Sequence, residues 1–221
     1  SELEQLQCGA NTLTSLDVSG CPKLKRLYCT ENQLTAIDIS ANTKLEDLTL
    51  SYNQLTELDV SHNPLLHQLA CDENPLTELD VSTNKELERL ICGETMLTSL
   101  DVSNNPKLEW LYCQNNVYTI EVLDGQVFNM TSLPGTFDKT KAGEFSAGSY
   151  NLATGELTIP NDITSLTYNY DMGWNGNEGL VGPFKLNIVR KPALPEIIEV
   201  TPKDPDQPFN PENQDDGNNS Q

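Results

Sequence analysis

The chain is short of base, of histidine and of long apolar runs, and each shortage removes a class of function. Only 13 Lys and Arg stand against 33 Asp and Glu, a net charge of −20 with a pI near 4.2. Such a field repels phosphate backbones and anionic lipid, so nucleic acid and membrane surfaces are not expected partners. No apolar stretch approaches the roughly 20 residues that cross a bilayer, so this segment is not expected to insert directly into a membrane. The only histidines, His62 and His67, fit no zinc spacing, and CxxC does not occur, so no metal site is expected. GxSxG, HExxH, Walker and dinucleotide loops are missing as well. Carboxylate pairs are so frequent in an acidic chain that none is informative. No catalytic residue and no cofactor is therefore assigned, and the chain is not expected to be an enzyme. The negative charge is spread along the whole chain, which fits general solubility better than a dedicated acidic segment.

What is present is a repeat. Leucine recurs at Leu3, Leu24, Leu45, Leu66, Leu87 and Leu108, each step being 21 residues. A second column is Leu6, Leu27, Leu48, Leu69, Leu90 and Leu111, followed by Cys8, Cys29, Leu50, Cys71, Cys92 and Cys113. Around these positions apolar and polar residues alternate, as in a strand with one buried face. One such unit cannot bury its leucines alone. Stacked in phase about 4.8 Å apart, the units build one parallel sheet over a continuous apolar core.

The remaining columns are turn chemistry. Asn11, Asn32, Asn53, Asn74 and Asn116, with Thr95 as the exception, stand where the chain must leave the strand. An inward amide there can satisfy backbone groups of its own coil and its neighbour. The LDVS stretch, with Val18, Ile39, Val60, Val81 and Val102, is too short and β-branched for a helix and is expected to run extended along the convex side. Asp17, Asp38, Asp59, Asp80 and Asp101 form a carboxylate column that could ligate metal but is better suited to capping turns by accepting backbone N–H bonds.

The cysteine column accepts Leu50 in place of a thiol, so it asks for a small apolar filler, which is how a buried free cysteine behaves. Side chains on in-register parallel strands do not converge as a disulfide requires, so a ladder of thiols is expected, with Cys21 an unpaired turn residue.

The consensus LxxLxCxxNxLTxLDVSxNPx resembles the leucine-rich repeat, and cysteine in place of a core leucine is similar to the cysteine-ladder class of internalin J-type bacterial surface proteins. The resemblance covers residues 3 to about 116. It implies a solenoid over 1–116 with six repeats, a parallel sheet and little helix. Beyond Tyr118 the phase is lost, and VYTIEVL, QVFNM, ELTI, SLTYNY and FKLNIV alternate between turn signals, the pattern of a small β-sandwich over 117–201. The stretch FSAGSYNLATGELTIPNDITSLTYNYD followed by FKLNIVRK is similar to the immunoglobulin-like domain adjoining the repeats of internalins, and a cap on the last repeat would suit it. Gly173, Gly176, Gly179 and Gly182 read as a hairpin loop. Residues 202–221, rich in Pro, Asp and Asn, read as a linker, since they cannot offset the entropy of ordering.

In-phase stacking also decides what faces outward. One column is Gln5, Arg26, Asp47, Gln68, Arg89 and Trp110; the next is Gln7, Tyr28, Thr49, Ala70, Ile91 and Tyr112. Arg89, Ile91, Trp110 and Tyr112 should be neighbours on the concave face, with Arg26 and Tyr28 a smaller patch of the same kind. Aromatics with Arg are the side chains enriched at binding hot spots. Trp110 and Tyr112 could equally pack on the following domain. The resemblance implies an extracellular, cell-surface adhesion module that binds a protein or glycan ligand, as a monomer. The rival reading is a structural spacer or accessory domain of a larger secreted protein. Repeat sequence begins at once at Leu3 with no cap, so the natural protein is expected to extend upstream.

Overall fold

The computed structural model describes residues 1–123, 127–135, 137–173 and 178–192, with 178–181 described by their backbone alone. Residues 202–221, which the sequence reads as a linker, lie outside these residues.

Each repeat contributes one short strand: β1 (Gln5–Gln7), β2 (Arg26–Tyr28), β3 (Asp47–Thr49), β4 (Gln68–Ala70), β5 (Arg89–Ile91) and β6 (Trp110–Cys113). They pair in parallel and in order, with Leu6, Leu27, Leu48, Leu69, Leu90 and Leu111 in one register line. The chain is thus a leucine-rich-repeat solenoid. Among the described residues the only helical turn is a 3-10 turn at Met130–Ser132.

The core follows the columns. Leu24, Leu45, Leu66 and Leu87 are fully buried, as are Leu27, Leu48, Leu69, Leu90 and Leu111. Cys29, Leu50, Cys71, Cys92 and Cys113 fill the next position with no solvent contact, while Cys8 in the first coil is half-buried. All six cysteines are free thiols. Burial pushes the Cys29 thiol up to about 12, so the thiolate that would attack a disulfide or bind metal is scarce there. Across the convex side the LDV residues form no ladder of strands and a turn begins at the serine that follows them, while Val18, Ile39, Val60, Val81 and Val102 are buried.

Two asparagine ladders bind coil to coil. In the first, Nδ2 of Asn53 donates to the Leu50 carbonyl of its own coil and the Cys29 carbonyl of the preceding one, both at 2.9 Å. Its Oδ1 accepts from Leu34 N at 3.0 Å. Asn32 and Asn74 repeat the pattern. At the exception, Thr95 donates its hydroxyl to Asn116 Oδ1 at 2.6 Å, so the coil stays tied by a different bond. The second ladder was not anticipated: Asn42, Asn63, Asn84 and Asn105 are buried and each donates to two carbonyls of the preceding coil. Cys21 occupies the equivalent place in the first coil.

The residue before each position of the first ladder is left-handed: Ala10, Glu31, Tyr52, Glu73, Glu94 and Asn115, with φ between 54° and 59°. None is glycine, so every coil carries roughly 1–2 kcal/mol of local backbone strain held in place by the stack. The aspartate column caps turns as expected, since Oδ1 of Asp17, Asp38, Asp59, Asp80 and Asp101 accepts from the backbone N of the serine two residues on.

After the repeats come two smaller sheets. One has four strands in the order β7 (Val117–Leu123), β14 (Phe184–Lys191), β12 (Ser165–Tyr170) and β9 (Ala142–Gly143). The other has three, β10 (Ser149–Asn151), β11 (Glu156–Thr158) and β8 (Phe128–Asn129). The reading of the glycine-rich segment as a loop needs correction. Glu178–Val181 forms β13, which pairs in parallel with β6 and adds a seventh strand to the solenoid sheet. An open sheet edge is a template for pairing, and β13 covers it. Further contacts fix this region to the fifth coil. Tyr168 donates its hydroxyl to the Thr98 carbonyl at 2.6 Å, Val102 N donates to the Met172 carbonyl at 2.9 Å, and Lys141 pairs with Asp101 at 2.6 Å.

Asn53→Ala should lower unfolding stability by about 1–3 kcal/mol, because the buried Leu34 N–H loses its partner while the Cys29 and Leu50 carbonyls each lose one of two amide donors, keeping Asn32 and Asn74 respectively. A denaturant melt unchanged from the parent would contradict this ladder.

Candidate binding face

The outward columns lie as the repeat phase requires. Arg26 is level with Asp47, Arg89 with Trp110, and Ile91 with Tyr112, on adjacent strands. Tyr28 and Tyr112 are four rungs apart, roughly 19 Å at the spacing of paired strands. The structure therefore gathers Arg89, Ile91, Trp110 and Tyr112 into one patch and leaves Arg26 and Tyr28 in a separate one.

The two patches differ in charge. Arg26 Nε is 3.2 Å from Asp47 Oδ2, and the Tyr28 hydroxyl donates to the same oxygen at 3.4 Å. This cation is already paired. Arg89 instead lies over the Trp110 ring with its guanidinium carbon 5.0 Å from the centroid, a cation–π arrangement that leaves its donors available. Trp110, Tyr112 and Ile91 are half-buried and Arg89 is exposed.

Tyr112 has a built seat. Its ring crosses Gly93 of the preceding coil, where a Cβ would come within 2.2 Å of Tyr112 Cε1. The corresponding positions in the first four coils are Gly9, Thr30, Ser51 and Asp72; a Cβ at Gly9 would meet the Thr30 backbone, so Gly93 is the one of the two glycines whose space a tyrosine ring fills. The Tyr112 hydroxyl donates to Glu94 Oε1 at 2.9 Å and is 3.4 Å from Gln114 Nε2. The Gln114 bond draws its pKa down, but partial burial and the Glu94 carboxylate outweigh it and hold the phenol above its ordinary value.

Beside this patch runs an acidic rim that the sequence reading missed. Glu73, Asp72, Glu94 and Glu31 surround Tyr52, which is 52% exposed, and their charge, that of Glu73 first, raises its hydroxyl pKa. The hydrogen bond it shares with Glu94 raises the Glu73 pKa, so Glu73 is the carboxyl of the pair that keeps its proton longer. Tyr52, Glu73 and Glu94 are the left-handed residues of their turns, and that conformation puts them on the rim. The 21-residue column was visible, but nothing in the residue types announced a left-handed turn.

On the other side of Trp110 and Tyr112 the β13 backbone runs in register, Glu178 level with Trp110 and Leu180 with Tyr112. Among the described residues no group of three or more His, Cys, Asp or Glu is arranged to hold a metal ion, and no helix is long and apolar enough to cross a membrane.

No protein-family model and no curated protein matches this sequence. Solved structures do. A leucine-rich-repeat protein of Leptospira interrogans aligns with a TM-score of 0.50 and 29% identity over 53% of this chain and 32% of that one. An internalin of Listeria monocytogenes aligns with a TM-score of 0.50 and 22% identity over 53% and 36%. The functional domain of another Listeria monocytogenes internalin, InlJ, described as including a cysteine ladder, shares 25% identity over 86% of this chain and 58% of that one at a TM-score of 0.35. The chain spans about a third of the length of the first two. By fold this chain is a leucine-rich-repeat protein, structurally similar to bacterial members of that class that include an internalin.

Proposed function

We propose that this chain is the binding module of an extracellular bacterial surface protein, with the solenoid of 1–116 presenting its concave sheet to a protein or glycan ligand. Arg89, Ile91, Trp110 and Tyr112 form the main contact, and Arg26 and Tyr28 a weaker second one because Asp47 already neutralises Arg26. Residues 117–201 serve as an immunoglobulin-like cap on the last repeat, and 202–221 as a linker. The reading assigns no catalytic residue, cofactor or metal, and takes the working unit as a monomer. The observation that supports it most is the Arg89–Trp110 stack beside the seated Tyr112. The flexible Arg89 is stacked on Trp110, and Tyr112 is seated and hydrogen-bonded, before any ligand arrives, which lowers the entropy lost on binding. The bacterial and surface assignments rest on the resemblance to internalins.

The purified chain, probed on a glycan and protein array, is expected to bind a defined partner. Replacing Trp110 and Tyr112 together by Ala should then weaken binding by at least about tenfold, since truncation of a central aromatic costs about 2 kcal/mol or more. Undiminished affinity would contradict the site, and an array with no specific partner would favour the spacer reading. Gly93→Ala leaves both aromatics in the sequence but evicts the Tyr112 ring. It should lower stability by about 1–3 kcal/mol, as overpacking does, and weaken the same interaction. A variant that melts and binds like the parent would show that the seat is unimportant.

A further inference from the structure

The convex side carries a groove that the concave site does not use. It crosses the second to fifth coils, has a volume of about 610 Å³, and meets Gly135 of the following region at one end. Its floor is apolar, made by Leu58, Leu79 and Leu100 of successive coils, each under a tenth exposed. Its rim carries Glu57, Asp59, Glu78, Asp80 and Asp101, and none of the residues that line it is basic. A row of carboxylates beside a strip of leucine is complementary to a segment that is both cationic and apolar.

One rung already holds such a cation. Oδ1 of each aspartate is committed to its own turn, at 2.8 Å from Ser61 N for Asp59 and 2.9 Å from Ser82 N for Asp80. Asp101 makes the same bond to Ser103 N, and its Oδ2 accepts from Lys141 Nζ at 2.6 Å. That bond lowers the Asp101 carboxyl to about 2. Lys141 comes from another part of the chain, so the pair is an internal example of a foreign lysine seated on this column. Asp59 and Asp80 present the same oxygen on the two preceding coils, and among the described residues neither is paired with a basic side chain.

We propose that the groove docks an extended, lysine-bearing segment of a partner protein. Ammonium groups bind Oδ2 of Asp59 and Asp80 as Lys141 binds Asp101, and apolar side chains from the opposite face of the segment rest on Leu58 and Leu79. The apolar floor separates this occupant from a simple polyamine, which would satisfy the rim and leave the leucines wet.

The test uses fluorescence anisotropy at about 0.15 M salt, where fields from distant charges are screened beyond roughly 8 Å. A labelled peptide alternating Lys and Leu is expected to bind saturably at one per chain. A peptide of equal length and charge alternating Lys and Ser should bind at least about tenfold more weakly. The variant carrying Asp59→Asn, Glu78→Gln and Asp80→Asn should lose about tenfold in affinity. Asparagine keeps the oxygen that each turn needs, so the fold is retained. A control carrying Glu144→Gln, Glu156→Gln and Asp162→Asn removes equal charge elsewhere and should stay within about twofold of the parent. Glu57→Lys with Glu78→Lys, both at exposed positions, should block the groove as effectively as the first variant. The Trp110→Ala, Tyr112→Ala chain should bind the peptide like the parent, which keeps this site apart from the concave face. Equal losses in groove and control variants, equal affinity for the two peptides, or no saturable binding would each overturn the proposal.

Discussion

The structure depends on a shortage inside each coil that only the next coil can relieve. A coil of 21 residues leaves backbone groups such as the Leu34 and Leu55 N–H without partners of their own, and each finds one only in the asparagine of the next coil, Asn53 and Asn74. Each such amide bonds its own coil and the preceding one at once. Because the amides are side chains of fixed length, the bonds form only when the coils are in phase, and the phase then aligns the leucine and cysteine columns. Hydrophobic burial provides most of the driving force, but leucines alone would tolerate a slip. The amides do not, since a slip would leave several buried polar groups unpaired in every coil.

Phase locking has a consequence on each surface. On the concave side it turns residues 21 apart into neighbours, so that Arg89 lies on Trp110 and Tyr112 crosses Gly93. On the convex side it aligns one aspartate and one leucine per coil into a carboxylate rim above an apolar floor. At the far end it leaves a sheet edge, and β13 covers it while Tyr168 and Lys141 fasten the following sheets to the fifth coil. Left-handed residues such as Tyr52 and Glu94 are the local cost of turning sharply without glycine, and they become a rim of exposed polar groups.

Most of the solenoid was legible because period and geometry coincide in it. Leu48 and Leu69 are adjacent in space for the same reason that they are 21 apart in sequence, and the concave columns followed without further information. Arg26 could be placed but not judged, since its pairing with Asp47 depends on rotamers. The second asparagine ladder was visible as letters at Asn42, Asn63, Asn84 and Asn105, yet the carbonyls it serves belong to backbone that no residue type marks. β13 was hidden for a different reason. Glu178–Val181 includes glycine and shows no alternation, and its strand conformation comes from the open edge of β6. The convex groove needed Gly135, which reaches the repeats only through tertiary packing.

The central claim is the register of the coils, and proton NMR on the isotope-labelled chain reads it most directly. Backbone contacts are expected to link Leu27 to Leu48, Leu48 to Leu69 and Leu69 to Leu90, in the parallel pattern and with no other pairing among these strands. Contacts that join these leucines in any other order, or an antiparallel pattern, would contradict the stack and with it both surfaces built upon it.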